Sequence, residues 1–313
     1  MAEAVPSAPR KSRTKTLKPR RLGPGSVIGI AAPSGPFDPP SFERGLEVLR
    51  TMEFRVRVPG GLFAAKGYLA GTDAHRAAVF ESLFCDPGVD AVMAARGGYG
   101  CLRILSLLDF ARLAANPKVL IGFSDVTALL TAMSSRCGLV TFHGPMVTTL
   151  AGASERTLRG LRDAVASDRP VKMALEAAVT LRPGVASGTV CGGNLNTLCH
   201  LVGTPFAARF RNRIVFLEDR GEAPYRVDRM LTHMKTAGCF EGVKGLVLGS
   251  FTDCGPTEEI WAIVDEIFHG ERFPIMAGLE AGHSDPNLTL PLGVRAELDA
   301  TGRELNFECG TEG

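Results

Sequence analysis

From residue 26 to about residue 147, short apolar segments alternate with amphipathic ones. This is the pattern of a parallel sheet with helices on both faces. Residues 26–32 read as a first strand. Residues 39–52 open with prolines and put Phe42, Leu46 and Leu49 on one helical face, and Phe54, Val56 and Val58 alternate as a second strand. A helix over 74–84, a strand over 90–95, a helix over 102–113, a strand running into a helix through Ser124 and a strand over 139–142 continue the alternation. An amphipathic helix over 154–166 closes it. The looser stretch 167–187 reads as a crossover linker between an N-terminal α/β domain (23–166) and a C-terminal domain (188–313). In the latter, helices over 195–202, 225–237 and 257–268 separate strands at 214–217, 244–251 and 274–279. Residues 288–307 read as strands turned at Gly293 and Thr301-Gly302, which suits a smaller mixed, barrel-like sheet.

With 313 residues, the chain has ample length for two buried cores. It has no apolar run near the roughly 20 residues of a membrane helix, so a soluble protein with no membrane partner is expected. The first 22 residues carry seven basic side chains against one acid, Glu3, and are expected to be a disordered tail. Setting their +6 aside from the overall +2 leaves the rest at −4, which disfavours a nucleic-acid partner. Arg20-Arg21 precedes a short, glycine-broken apolar run that reads as a strand and not as an export signal. None of the eight cysteines forms a C-x-x-C pair, so reduced thiols in a cytoplasmic protein are expected.

Within Lys118–Leu130 a strand passes through Gly122 into Ser124 and directly into a helix that Gly138 ends. Such a turn lifts one side chain clear of its neighbours and points helix N-terminal N–H groups at the space beside it, ready to hold an oxyanion. The same residues also suit a plain helix start, with Ser124 or Asp125 as N-cap.

A serine nucleophile needs a base, and the base an orienting acid. Of six histidines, His75, His200, His233 and His269 fall in or at the ends of helical patterns. His143 and His283 stand where strands run out into loops, and His283 follows a strand and Gly282, a good perch for a base. Glu218 ends the strand at 214–217, where an ion pair with Arg220 or Arg226 is the alternative role. Ser124, Glu218 and His283 all lie at carboxyl ends of apolar strands, where α/β sheets build their sites.

Two glycine-rich turns accompany them. Arg96-Gly-Gly-Tyr-Gly100 could supply a second oxyanion donor, while neither it nor Cys191-Gly-Gly-Asn194 fits a nucleotide fingerprint, and both could be plain tight bends. Asp73-Ala-His75 and His283-Ser-Asp285 are isolated pairs, so no metal or other cofactor is expected, and Asp285 is read as shaping the loop around His283.

Ile28-Gly-Ile-Ala-Ala-Pro-Ser34, Ala95-Arg-Gly-Gly-Tyr-Gly100, Ile121-Gly-Phe-Ser-Asp125, His143-Gly-Pro145, Gly192-Gly-Asn194, Leu217-Glu218 and Gly282-His283, in that order, resemble the LD-carboxypeptidase family of serine peptidases. The resemblance implies a Ser124–His283–Glu218 triad, an oxyanion hole from the N–H groups of Asp125 and Gly98, and a site between two domains of a homodimer. Arg96, Gly97, Tyr99 and Asn194 are the implied substrate contacts. It further implies release of terminal D-alanine from cytoplasmic murein tetrapeptide during cell-wall recycling. A second branch resembles the microcin C immunity peptidases, which cleave acyl-aminoacyl nucleotide amides and usually carry a base-stacking tryptophan before the catalytic Glu. Here the single tryptophan is Trp261, beyond Glu218, and the murein substrate is the expectation.

Overall fold

The computed structural model describes residues 16–175 and 177–313. In the first half, β1 (Val27–Ala31), α1 (Pro39–Thr51), β2 (Arg55–Arg57), α2 (Asp73–Cys85), β3 (Ala91–Ala94), α3 (Cys101–Ile104), α4 (Phe110–Ala114), β4 (Val119–Gly122), α5 (Thr127–Cys137) and β5 (Thr141–His143) follow one another. After α6 (Val147–Leu150) and α7 (Glu155–Ala166) come β6 (Val171–Ala174), β7 (Val179–Arg182), β8 (Val185–Asn194), α8 (Leu195–Leu201) and β9 (Arg213–Arg220). The chain ends with α9 (Pro224–Thr236), β10 (Gly245–Thr252), α10 (Thr257–Ile267), β11 (Ile275–Ala277), β12 (Leu290–Leu292), β13 (Arg295–Asp299) and β14 (Glu304–Phe307).

Strands β1 to β5 form the expected parallel sheet, in the order β5-β4-β3-β1-β2. The residues of the inner strands β1, β3 and β4 are apolar and almost all buried, as a helix-covered parallel sheet requires, whereas the edge strand β2 is Arg-Val-Arg and largely exposed. The helices start where local chemistry says they should. Asp38 accepts the Ser41 N–H ahead of Pro39 and Pro40 in α1, Ser154 caps α7, and Gly138 ends α5 in the left-handed region. The helix expected over 102–113 is instead broken into α3, a 3₁₀ turn and α4. Asp109 accepts the N–H groups of Ala111 and Arg112 and so restarts the helix.

The second sheet has eight strands in the order β6-β14-β13-β8-β9-β10-β11-β7, with β8 to β11 parallel and the outer pairings antiparallel. Among the described residues no ladder joins β6 to β7, the two ends of the order, so the barrel closure suggested by the sequence is not seen. The stretch read as a linker holds β6, β7 and the start of β8. β12 also departs from expectation: it leaves the second sheet and pairs antiparallel with β5, Leu290 opposite His143 and Leu292 opposite Thr141. Both sheets thereby share one core, with α5 packed on β4 and β5 on one side and on β8 on the other.

Of the basic segment expected to be disordered, residues 1–15 lie outside the described residues, whereas Leu17 to Leu22 are fixed to the body. Leu17 bridges Leu139, the Arg21 N–H donates to Glu312 O, and Leu22 is buried.

Candidate active site

The turn after β4 departs from ordinary helix entry. Ser124 has φ 61°, a left-handed conformation that costs a non-glycine residue about 1–2 kcal/mol and is found at sites where a side chain must be aimed. Gly122 makes the turn possible, since a Cβ there would lie 2.6 Å from Val126 Cγ1. Neither Ser124 nor Asp125 caps the helix. The Asp125 carboxylate instead turns inward, accepting Ser34 Oγ at 2.6 Å and the Cys101 N–H at 2.9 Å.

Glu218, near the end of β9, is fully buried, and its Oε2 accepts the Nδ1–H of His283 at 2.7 Å. The arginines that could have claimed it go elsewhere, Arg220 to Asp253 and Arg226 to Glu222. Gly282 lets the loop after β11 close this tightly: it has φ 121°, and a Cβ on it would sit 2.6 Å from Glu218 Oε2. The loop is pinned from the N-terminal half. Asp285 accepts from the Ser154 N–H, Ser154 Oγ and Thr157 Oγ1, and Thr157 Oγ1 accepts the Asn287 N–H. Asn287 Oδ1 in turn accepts the Gly282 N–H. Asp285 thus shapes the His283 loop, as the sequence suggested, and its carboxyl is held below the usual range against the cost of burial by its Thr157 and Ser154 hydrogen bonds.

The two halves meet at Phe123. Its ring stands edge-on to His283 with centroids 4.8 Å apart, so the imidazole bound to Glu218 lies against the residue before Ser124. Among the described residues no hydrogen bond joins Ser124 Oγ to His283. Such bonds are often long in ligand-free sites and tighten with substrate.

The turn after β3 closes the other side. A Cβ on Gly97 would lie 3.0 Å from Ser124 Oγ, and Gly98, with φ 117°, is exposed beside it. Among the described residues the N–H groups of Asp125 and Gly98 donate to no protein acceptor. Arg96 donates to Pro36 O, and Tyr99, exposed, stands against Tyr68 at a centroid distance of 5.8 Å.

The fourth implied contact, Asn194, is engaged within the fold. Its Oδ1 accepts from Thr197 N–H and Oγ1 as the N-cap of α8, and its Nδ2 donates to Asp219. Cys191 to Asn194 are not a turn but the end of β8. Gly192 lies so close to β9 that a Cβ would overlap Phe216 O, and one on Gly193 would strike Thr127 Oγ1. Asp219 accepts three N–H groups, yet burial and the neighbouring Glu218 carboxylate push its carboxyl up to about 7.

Two buried polar residues near this site were not assigned from sequence. His143, at the end of β5, is wedged between Phe123 and Phe216. Burial pushes it down to about 4, so it is neutral, and neither ring nitrogen has a hydrogen-bond partner among the described residues. Arg76 has a wholly buried side chain on α2. The signal was present, because Arg76 shares the helix face of Phe80, Leu83 and Phe84.

Residues 28–144 match the LD-carboxypeptidase N-terminal domain and residues 187–298 the LD-carboxypeptidase C-terminal domain. The chain belongs to the LD-carboxypeptidase family. Family members similar to it include the murein tetrapeptide carboxypeptidase of Pseudomonas aeruginosa, 36% identical over 74% of this chain and 80% of that protein. The solved structure of the muramoyltetrapeptide carboxypeptidase of Oxalobacter formigenes superposes with a TM-score of 0.80 at 31% identity, covering 90% of this chain and 98% of that one. MccF in complex with glutamyl sulfamoyl guanosine superposes with a TM-score of 0.87 at 26% identity, over 95% of this chain and 99% of that one.

Proposed function

We propose that this chain is a serine L,D-carboxypeptidase that releases terminal D-alanine from murein tetrapeptide in the cytoplasm. Ser124 Oγ attacks the scissile carbonyl, and His283 takes its proton and passes it to the departing amine of D-alanine. Water, deprotonated by the same imidazole, then releases the tripeptide from Ser124. Glu218 holds His283 in the tautomer that leaves Nε2 free to act. The N–H groups of Asp125 and Gly98 take up the negative charge that develops on the carbonyl oxygen. The observation that carries this reading is the left-handed Ser124 at the end of β4, beside the Phe123 ring against which the Glu218-bound His283 packs.

An acyl-aminoacyl nucleotide amide is the second reading, favoured by the close fold match to MccF. Against it, Trp261 lies on α10 with its ring against Phe251 and not in a segment leading to Glu218.

Mass spectrometry of a murein tetrapeptide ending in D-alanine, incubated with the wild type and with Ser124→Ala, tests the reading. Loss of one D-alanine with the wild type alone supports it. An untouched tetrapeptide together with cleavage of an aminoacyl sulfamoyl nucleotide supports the second reading, and no cleavage of either leaves a ligand-binding protein.

A further inference from the structure

The loop after β1 and the turn after β3 are tied together residue by residue. The Gly35 N–H donates to Gly97 O at 3.2 Å, and Arg96 Nη1 donates to Pro36 O at 2.7 Å. Two buried side chains of opposite charge make the remaining ties. From α2, Arg76 Nη1 donates both to Pro33 O and, at 2.9 Å, to Gly100 O. From the Ser124 turn, one oxygen of Asp125, Oδ2, accepts both Ser34 Oγ and the Cys101 N–H. Each charged group therefore bonds the same two segments, one at Pro33 and Gly100 and the other at the residues that follow them, Ser34 and Cys101.

We infer that Arg76 and the Asp125 side chain are positioning residues that set the distance between the Gly97-Gly98 turn and Ser124. Resting on the hydrolase reading above, this makes the oxyanion site a preorganised one, held from both sides before substrate arrives. The chemistry requires such support. Gly97 and Gly98 have no side chains to lock their turn, and an N–H donor helps only if it already points where charge will develop. A buried guanidinium is costly to keep, and here its Nη1 is taken up by two carbonyls from the segments it joins and its Nη2 by Asp73, while its Nε has no partner among the described residues. Asp125 has the further property that its backbone N–H and its carboxylate belong to one residue, so the donor at the nucleophile and the anchor of the opposite turn move as a unit.

The test compares Arg76→Lys, Asp125→Ala and Asp125→Asn with the wild type in kcat, KM, labelling of Ser124 by a fluorophosphonate and affinity for a peptidyl boronic acid, whose tetrahedral adduct uses the oxyanion site. Arg76→Lys, with one nitrogen in place of a fork, and Asp125→Ala are expected to lower kcat by about 10- to 100-fold, with KM within about twofold. Boronate affinity should weaken by the same factor. Asp125→Asn keeps a carbonyl oxygen able to accept both bonds and is expected to lose less kcat and less boronate affinity than Asp125→Ala; should Asp125→Ala fail to fold, Arg76→Lys carries the test. Unchanged kcat in Arg76→Lys and Asp125→Ala overturns the inference, as does a loss of kcat that leaves boronate affinity untouched. A wild type that neither turns over substrate nor takes the fluorophosphonate at Ser124 overturns the hydrolase reading instead.

Discussion

Glu218 and His283, 65 residues apart, are joined by a 2.7 Å hydrogen bond beside which a Cβ on Gly282 would have no room. The acid comes from β9, a central strand of the second sheet, and the histidine from the loop after β11, and that loop is anchored by Asp285 to the start of α7. The pair is thus fixed by contacts from both halves of the chain.

Replacing Ser124 with Ala should lower kcat about a millionfold and leave thermal stability within a degree or two. Glu218→Gln should cost less, about ten-thousandfold, because an orienting acid contributes less than the reacting pair. Steady-state kinetics on the cleaved peptide decide this. A larger loss for Glu218→Gln would reverse the assigned roles.

At Gly282, an alanine Cβ would fall 2.6 Å from both Glu218 Oε2 and Ser250 Oγ. Gly282→Ala is therefore expected to push the His283 loop away from Glu218 and to lower kcat at least about 100-fold, in line with the cost of small displacements of catalytic groups. Activity within threefold of wild type would show that the loop does not need this close approach.

Asn194→Ala separates a cap from a substrate contact. Because the side chain bonds Thr197 and Asp219, the expected result is a loss of about 1–2 kcal/mol in urea unfolding with KM within about twofold. A large rise in KM at unchanged stability would restore the substrate-binding role that the family resemblance implied.

His143 links stability to pH. Its folded-state value of about 4 lies below the ordinary histidine value near 6.5, so between these limits the unfolded chain binds more protons than the folded one. Its contribution is fully present above about pH 6.5 and is lost as pH falls, reaching about 3 kcal/mol by pH 4. Urea midpoints across this range should fall more steeply for the wild type than for His143→Gln. Parallel curves would mean that His143 is not the group responsible.

Much of this was legible in the chain because it depends on short-range order. Apolar periodicity gave β1 to β5 and α1, α2, α5, α7, α9 and α10 to within a residue or two at most ends, and Gly138 acted where capping chemistry put it. The break at Asp109 is masked by periodicity, because the apolar run continues through it while the Asp109 carboxylate competes for the N–H groups of Ala111 and Arg112. β12 was seen as a strand, but its partner could not be named from alternation, which fixes the face of each side chain and not the strand that lies alongside.

By itself the sequence determined the alternating α/β order and the placing of Ser124 just past β4, of Glu218 near the end of β9 and of His283 in the loop after β11, since hydrophobic period and turn chemistry are local properties. Only the tertiary structure decided that Asp125 faces Ser34 and Cys101 rather than capping its own helix, that Asn194 is spent inside the fold, and that Arg76 is buried between two loops. The reason is physical: a polar side chain takes the partner that remains when water is excluded, and which partner remains depends on how distant segments close over it.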